Sequence, residues 1–484
     1  MSKINQSDNY AADFGLCLRS SAIFWTPPPQ IARLRIALSD YWSFKNDIKT
    51  LLVVSYRGMC GRLIRRFELD FDGSSVLMLS PTSEEKLDQG GSVELEAFAH
   101  KDIRIPYAAI MAIYETDLSI SMVHSYSRIY SPWEIEEKRT ISDGHEGCWS
   151  LRDTTDIYSF AVLHNGAIAQ TAQRVRLQVK NSFGETIASE FSIPQLNAFE
   201  TLMVKPVDHI TGLASFLKNK PGSATIDFNL NGSFTRLLVG WHSISGNQLQ
   251  VTHSNFNYAI HETDLIETEH MQTAYMKLPC TPFKSQAVIY PDFSPGSYKV
   301  QSRDQNGALS NPILLGSTRT ALAGSALEFY RVDGILPSRI VTALEGVSSQ
   351  ADNTIPFECS LNVVHQKRPP KRFHWGLCHT TLPSRLFIVA YPEVYGDPGH
   401  TCQLSVKCML LDGVIHEKIL NWDEVQEGGR ASLLLTDMFS LISASERVKN
   451  ASEFCYITIY SAYGGFLMYT AILKGTSWTF EHTF

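Results

Sequence analysis

The sequence lacks the short motifs that mark the common catalytic and nucleotide-binding folds. It contains no G-x-G-x-x-G, no lysine-bearing Walker A loop, no H-E-x-x-H and no G-x-S-x-G. His-Glu pairs begin at positions 145, 261 and 416, but none is followed by a second histidine one helical turn later. These absences remove the usual support for nucleotide binding, zinc proteolysis and serine hydrolysis. We therefore expect no resident metal or cofactor, and we favour a protein that is not an enzyme.

Paired cysteines and a basic charge balance are also missing. The nine cysteines are scattered, odd in number and never spaced as C-x-x-C, which is typical of free thiols in a reducing compartment. The N-terminus has no basic start followed by an apolar run, so we predict a cytoplasmic protein. A net charge of −7 and a pI near 6.1 give no general attraction to phosphate backbones. Nucleic acid is therefore not expected as the main partner.

Long helical patterns are scarce, and short alternating runs separated by turn residues take their place. A chain of 484 residues is too long for one core and suggests about three or four domains. The same order of strands, turns and a closing strand pair recurs four times. We predict an all-β chain of three to four tandem β-sandwich, Ig-like units that arose by internal duplication, with short capping helices near 208–219 and 435–449. The predicted units are 1–139, 140–270, 271–385 and a shorter 386–484, packed end to end.

The closing strand pairs supply the positions on which the repeat is aligned. They are "YAAIMAIYETDLSISMVHSY", "SFTRLLVGWHSISGNQLQVTHSNF", "FECSLNVVHQKRPPKRFHWGL" and "FCYITIYSAYGGFLMYTAILKG". Aligned by eye, they place His124, His253 and His374 at equivalent strand positions. The last one contains an uncharged run over 454–473 that is about long enough to cross a bilayer as a helix. Its β-branched and aromatic residues around Tyr463 and two glycines predict a hairpin, and no membrane span, instead.

The densest group of chemically active side chains lies at the predicted joint between the first two units. Alternation puts one row on a single strand face, and an acid–base group follows it: His124, Tyr126, Arg128 and Tyr130, then Asp143, His145 and Glu146. An imidazole, a guanidinium and two aromatic rings suit a sugar or an anionic ligand. The alternative is structural, because exposed strands carry such residues as cross-strand pairs and inter-domain joints are normally polar.

A second candidate is a basic segment, "HQKRPPKRFHW". It would form an anion patch from Lys367, Arg368, Lys371, Arg372 and Trp375, with the tryptophan stacking on a base or sugar. The alternative, which we favour, is a hairpin tip whose basic residues and prolines block edge pairing. For His253, "THSNFNY" alternates as a half-buried strand does, so its likeness to "VHSYSRIY" is expected to reflect ancestry alone.

The sequence thus favours a non-enzymatic binding or scaffold protein over a catalyst. Tandem sandwiches leave end loops and joints free for recognition, and no complete catalytic set is visible. The expected ligand is a carbohydrate, or a protein partner in envelope or polysaccharide metabolism. The alternative is an enzyme at the first joint that acts on an anionic or sugar substrate. There His124 or His145 would be the acid or base, and Glu146 or Asp143 would orient it. Arg128 would hold the anionic group of the substrate.

Overall fold

The strands fall into four groups of eight, which we call the first to fourth units. The computed structural model describes residues 17–40, 48, 50–69, 76–83, 85–99, 109–124, 146–228, 236–245, 247–259, 273–304, 306–332, 340–347, 355–361, 363–365, 368–411, 413–439 and 453–482. The first unit holds β1 Cys17–Thr26, β2 Arg33–Ser39, β3 Thr50–Gly58, β4 Leu63–Leu69, β5 Val76–Leu79, β6 Gly91–Ala99, β7 Ile110–Glu115 and β8 Ile120–Val123. The second holds β9 Cys148–Leu151, β10 Ile157–His164, β11 Gln173–Lys180, β12 Thr186–Ile193, β13 Thr201–Val204, β14 Gly222–Asp227, β15 Leu238–Ser243 and β16 Gln248–His253.

The third and fourth units repeat this plan. The third holds β17 Thr273–Lys277, β18 Lys284–Ile289, β19 Tyr298–Arg303, β20 Ile313–Leu314, β21 Thr320–Leu322, β22 Ala326–Arg331, β23 Thr342–Val347 and β24 Phe357–Leu361. The fourth holds β25 Phe373–His379, β26 Ser384–Ala390, β27 Gln403–Leu410, β28 Ile415–Asn421, β29 Arg430–Leu434, β30 Phe454–Tyr460, β31 Phe466–Lys474 and β32 Ser477–His482.

Each unit is a sandwich of two four-stranded antiparallel sheets with one strand order. The first sheets run β1-β6-β3-β4, β9-β14-β11-β12, β17-β22-β19-β20 and β25-β30-β27-β28, and the second run β5-β2-β7-β8, β13-β10-β15-β16, β21-β18-β23-β24 and β29-β26-β31-β32. The prediction of an all-β chain of tandem β-sandwiches is therefore confirmed. One order in four units is what internal duplication predicts. In an immunoglobulin sheet the first strand lies beside the second, whereas here it pairs with the sixth.

Helices are short and lie between strands. They are α1 Pro206–His209, α2 Leu213–Leu217, α3 Pro392–Tyr395, α4 Trp422–Val425 and α5 Leu435–Met438, with 3₁₀ turns at Pro81–Ser83, Glu85–Leu87 and Pro291–Phe293. Helix α1 touches β10 and β12, which belong to the two different sheets of the second unit, as a capping helix should. Within the described ranges, no helix is both long and apolar enough to cross a membrane.

The pattern of buried and exposed residues along a strand shows whether one or both of its faces are covered. In β11, Val175, Leu177 and Val179 are buried while Arg174 and Arg176 are exposed, because one face of this strand meets solvent. In contrast, β7, β30 and β31 are buried at nearly every position. Their second faces pack on a neighbouring unit, which explains the long apolar run over 454–473.

Strand pairing corrects three details predicted from the sequence. The run over 454–473 does form two strands, but β30 and β31 pair in different sheets and are not a hairpin. The basic segment is not a hairpin tip either, since it joins β24, which pairs with β23, to β25, which pairs with β30. His374 lies in β25, the first strand of its unit, whereas His253 ends an eighth strand and His124 directly follows one. The equivalent residue of the fourth unit is His482.

The predicted unit boundaries at 139, 270 and 385 remain proposals. The first two fall in 125–145 and 260–272, outside the described residues. Because β25 and the start of β26 pair only within the fourth unit, we propose to move the last boundary to the segment between Leu361 and Phe373.

Shared hydrophobic cores join neighbouring units in sequence. Leu249 and Val251 of β16 lie in one cluster with the core of the first unit, which forms the first–second joint. Phe357 of β24 stacks on Phe480 of β32 with ring centroids 5.9 Å apart, at the third–fourth joint. A smaller cluster around Tyr290 forms the second–third joint.

The chain closes on itself, because the fourth unit also packs against the first. Met111 and Met122 share a buried cluster with Trp375 and Tyr456, and this contact is the fourth–first joint. The Tyr456 hydroxyl donates to the carbonyl of Ala109 at 2.7 Å. The four sandwiches therefore form a ring rather than a row. Its eighth strands meet at the centre, where β8 lies against β16 and β32, and β24 lies against both of them.

Candidate functional site

Most of the predicted ligand row falls outside the described residues. Tyr126, Arg128, Tyr130, Asp143 and His145 lie there, as does Lys367 of the basic segment. His124 and Glu146 are described, and the structure brings them to the same place, at the centre of the ring.

Serine and threonine side chains connect the edges of central strands that belong to different units. Ser121 of β8 donates its hydroxyl to the carbonyl of Val251 at 2.9 Å and accepts from the amide of the same residue at 2.8 Å. Ser119 likewise donates its hydroxyl to the carbonyl of Leu249 at 3.3 Å and accepts from the amide of Leu249 at 3.0 Å. The amide of Met122 donates to the Thr479 hydroxyl of β32 at 2.8 Å. Serine and threonine hydroxyls thus form hydrogen bonds with backbone N–H and C=O groups at the strand edges, which could otherwise pair with another strand.

A chain of polar contacts runs inward from the first–second joint. Glu146 forms an ion pair with Arg236, whose Nη2 donates to Glu146 Oε1 at 3.0 Å. Arg236 Nη1 lies 3.5 Å from Nε2 of His124. On the other side of that ring, His124 Nδ1 lies 3.2 Å from Oε1 of Glu481 in β32. Since His124 is only 3% exposed, its two nitrogens are engaged inside the protein.

Five buried side chains, supplied by all four units, form the centre; we call them the central cluster: His124, His253, Cys359, Glu481 and His482. The His124 ring lies edge-on to His253 and to His482, with centroids 4.8 and 4.6 Å apart. Cys359 Sγ lies 3.7 Å from His482 Nδ1 and 3.9 Å from Glu481 Oε1. His253 Nδ1 donates to the carbonyl of Ser254 at 2.8 Å.

Burial sets the protonation states in the central cluster. It lowers the pKa of His124 to about 4 against the opposing effect of Glu481, and it holds the pKa of His253 well below its usual range. Burial also raises the pKa of the Cys359 thiol. For Glu481 burial acts in the raising direction, but His124 and His482 outweigh it and hold its pKa well below normal. At neutral pH, Glu481 is therefore a carboxylate near the neutral imidazoles of His124 and His253 and the Cys359 thiol.

The basic segment is divided between surface and interior. Lys371 and Arg372 are exposed. Arg368 Nη1 donates to the carbonyl of Val363 at 3.2 Å. Trp375 is 4% exposed and packs on Tyr456 with centroids 5.6 Å apart. This tryptophan thus belongs to the fourth–first joint, where no ligand can stack on it.

A groove of about 670 Å³ lies at one end of the third unit. Residues before β18 and at the ends of β19 and β21 line it, and Arg430 of the fourth unit reaches it from β29. Its wall includes hydroxyl, charged and apolar side chains: Thr281, Ser285, Ser302 and Ser310; Lys284, Asp304 and Arg430; Leu278, Phe283 and Leu309.

Sequence reasoning missed Arg236, Cys359, Glu481 and His482. A signal for the last two existed, because "TFEHTF" ends the fourth unit as "MVHSY" and "VTHSN" end strands in the first two. Arg236 and Cys359 have no such signal. They reach the centre through pairing between strands that are far apart in the chain.

The fold defines a tandem β-sandwich protein. No protein-family model matches the chain, and a comparison with curated proteins found no match. Among solved structures, it is similar to Bacteroides uniformis β-glucuronidase at 9% identity, over 49% of this chain and 25% of that one, with a TM-score of 0.12. A calcium-binding mutant of Bacteroides uniformis β-glucuronidase 2 gives 10% identity over 49% and 26%, also with a TM-score of 0.12. The matches span about a quarter of those chains, and TM-scores this low support no inference about the function of this protein.

Proposed function

We propose that the protein is a non-enzymatic binding protein, and that its ligand is an acidic carbohydrate held in the groove of the third unit. The observation that carries this proposal is the lining of the groove. Four hydroxyl side chains line the groove; those of Thr281 and Ser310 donate to backbone carbonyls and can still accept from sugar hydroxyls. Apolar side chains of the same wall can contact sugar C–H faces. The four-unit ring serves as a rigid frame for this surface.

Two cations give the groove a preference for a carboxylate. Lys284 is exposed, and Arg430 reaches the groove from the fourth unit. A guanidinium can grip a carboxylate through two parallel hydrogen bonds, which a neutral sugar cannot accept with the same strength. Asp304 on the same wall can accept from ring hydroxyls.

The contacts of His124 and Glu146 favour binding over the acid–base enzyme considered as the alternative. Both side chains contact Arg236, and His124 is deeply buried. A general acid must reach its substrate within hydrogen-bond distance, and these contacts point inward. The cytoplasmic location and a protein partner remain predictions from the sequence.

Calorimetric titration with two defined probes tests the proposal. A tetramer of galacturonic acid should bind, and maltotetraose, which has no carboxylate, should bind at least tenfold more weakly. Arg430→Gln should weaken binding of the acidic probe about tenfold or more, since charge-assisted hydrogen bonds contribute roughly 1.5–3 kcal/mol. The matched control is Arg385→Gln on the neighbouring strand, where Nη1 donates to Ser432 at 3.2 Å. Equal losses of affinity in both variants, or no binding of either probe, would refute the proposal that the groove binds an acidic carbohydrate.

A further inference from the structure

The geometry points to a transition-metal site in the central cluster, with Cys359, Glu481 and His482 as ligands for a zinc-class divalent ion. This site is separate from the groove and does not depend on the proposed function. Cys359 lies in β24 of the third unit, and the other two residues end β32 of the fourth. A bound ion would therefore tie two units together at the centre of the ring.

Distances between the donor atoms fit such an ion. Cys359 Sγ, Glu481 Oε1 and His482 Nδ1 are separated by 3.9, 3.7 and 3.0 Å. Bonds of about 2.0–2.1 Å to nitrogen or oxygen and about 2.3 Å to sulfur give tetrahedral edges of roughly 3.3–3.6 Å. Shifts of a few tenths of an ångström would thus bring all three atoms into contact with one ion.

Charge selects these three residues over the neighbouring set of three imidazoles. The rings of His124, His253 and His482 also offer nitrogens within 4.8 Å of one another. However, that set supplies no negative charge, and Arg236 lies 3.5 Å from His124 Nε2. A thiolate and a carboxylate bound directly to a divalent ion neutralise its charge. Three imidazoles would leave only Glu481, as a neighbour and not a ligand, to offset that charge beside a guanidinium in a buried site.

The residues around the ligands have the roles that outer-shell residues usually have. His124 Nδ1 lies 3.2 Å from the ligating oxygen of Glu481 and can donate to it, which fixes the carboxylate. We therefore treat His124 as a positioning residue. A sulfur, an imidazole and a carboxylate together suit zinc or cobalt better than magnesium or calcium, which prefer oxygen ligands alone. The fourth position is left for a water or another small ligand.

Cobalt titration of chelator-treated full-length protein tests the site. One equivalent of Co²⁺ should bind and produce the near-ultraviolet charge-transfer band of a cobalt–thiolate bond. Cys359→Ser should abolish that band, and His482→Gln should weaken Co²⁺ binding at least tenfold. The matched control is Cys402→Ser, a buried thiol of the fourth unit that lies 3.6 Å from the Ser461 hydroxyl. It should leave the band and the affinity unchanged, and His253→Gln should leave the band in place.

Three outcomes would overturn the site. They are no stoichiometric Co²⁺ binding, binding without a thiolate band, and a band that survives in Cys359→Ser. Binding that His253→Gln abolishes would assign the metal to the three imidazoles and also reject our ligand set. If Cys359→Ser fails to fold, X-ray absorption of the zinc-loaded wild type shows whether a sulfur is bound to the metal. It should show one sulfur at about 2.3 Å with lighter ligands at about 2.0 Å, and a spectrum without sulfur refutes the proposal.

Discussion

The second–third and fourth–first joints bury similar strand faces by different means. In the second–third joint, Arg152 of the second unit meets Glu345 and Glu358 of the third, and each of these side chains is at most 10% exposed. Arg319 binds the same two carboxylates. In the fourth–first joint, the interior contacts are methionine, tryptophan and tyrosine. Arg35 and Glu115 of the first unit form an ion pair beside this apolar interior, and they also contact Glu453 and Lys474 of the fourth unit.

The difference teaches that shared sheet topology does not dictate interface chemistry. Apolar contacts are stabilised by the area that they remove from water and are insensitive to pH. A buried charged joint has a large desolvation cost, so its net contribution is small, but loss of one partner is severe.

Removal of one carboxylate from the charged joint should have the largest effect. In Glu345→Gln, Arg152 and Arg319 share only Glu358, so one buried positive charge is uncompensated. We expect a loss of about 3–5 kcal/mol in the free energy of unfolding, measured by urea denaturation. The control is Arg174→Gln, whose exposed pair with Glu190 should contribute less than about 1 kcal/mol. Equal effects of the two substitutions would show that the charged joint is not buried.

Acid should weaken the ion pairs of Glu345 in the second–third joint. Burial opposes ionisation of Glu345, but Arg152 and Arg319 outweigh it and hold its pKa at about 2, below the ordinary 4.5. A depressed pKa contributes stability that is complete above the unfolded-state value and is lost as pH falls through the folded-state value. The stability difference between wild type and Glu345→Gln should therefore shrink between pH 4.5 and 2. A difference that stays constant in urea titrations over this range would contradict the ion-pair assignment.

Loss of one hydroxyl from the apolar interior of the fourth–first joint should have a smaller effect. Tyr456 donates to the carbonyls of Ala37 and Ala109 at 2.9 and 2.7 Å, and Ala109 also accepts from the amide of Ser39. Tyr456→Phe keeps the ring and removes the donor, so we expect a loss of about 1–2 kcal/mol that does not change with pH. Tyr460→Phe, on the same strand but 51% exposed, is the matched control and should be neutral. A loss in Tyr456→Phe that changes with pH would contradict the assignment of this hydroxyl to two backbone carbonyls.

The same comparison shows which parts the sequence could predict. Alternation in "VRLQVKN" and unbroken apolar runs such as "FCYITIY" indicated strands with one or two covered faces, and the sandwich architecture followed. Which strands pair could not be predicted in the fourth unit, because β30 and β31 are adjacent in sequence but belong to different sheets. Local turn signals suggested a hairpin there. Instead, both faces of β30 and of β31 are covered, and the two strands lie in different sheets.

The site was predicted in part for a similar reason. His124 and Glu146 were selected from a local cluster, and both lie at the centre of the ring. Their partners, Arg236 and Glu481, are 112 and 357 positions away from His124, so no local pattern could connect them. His253 was interpreted as a half-buried strand residue, and the structure places it fully inside the central cluster.

Closure of the ring is the central claim, and zero-length carbodiimide crosslinking with mass spectrometry tests it most directly. Three joints carry a native lysine–carboxylate pair: Lys180–Asp292 at 3.0 Å, Lys277–Glu393 at 2.8 Å and Lys474–Glu115 at 3.7 Å. Lys407–Glu417, within the fourth unit at 3.4 Å, is the positive control, and urea-unfolded protein is the negative one. A closed ring predicts all three inter-unit links in the native protein. Formation of the first two without the Lys474–Glu115 link would contradict the ring and leave a row of four sandwiches.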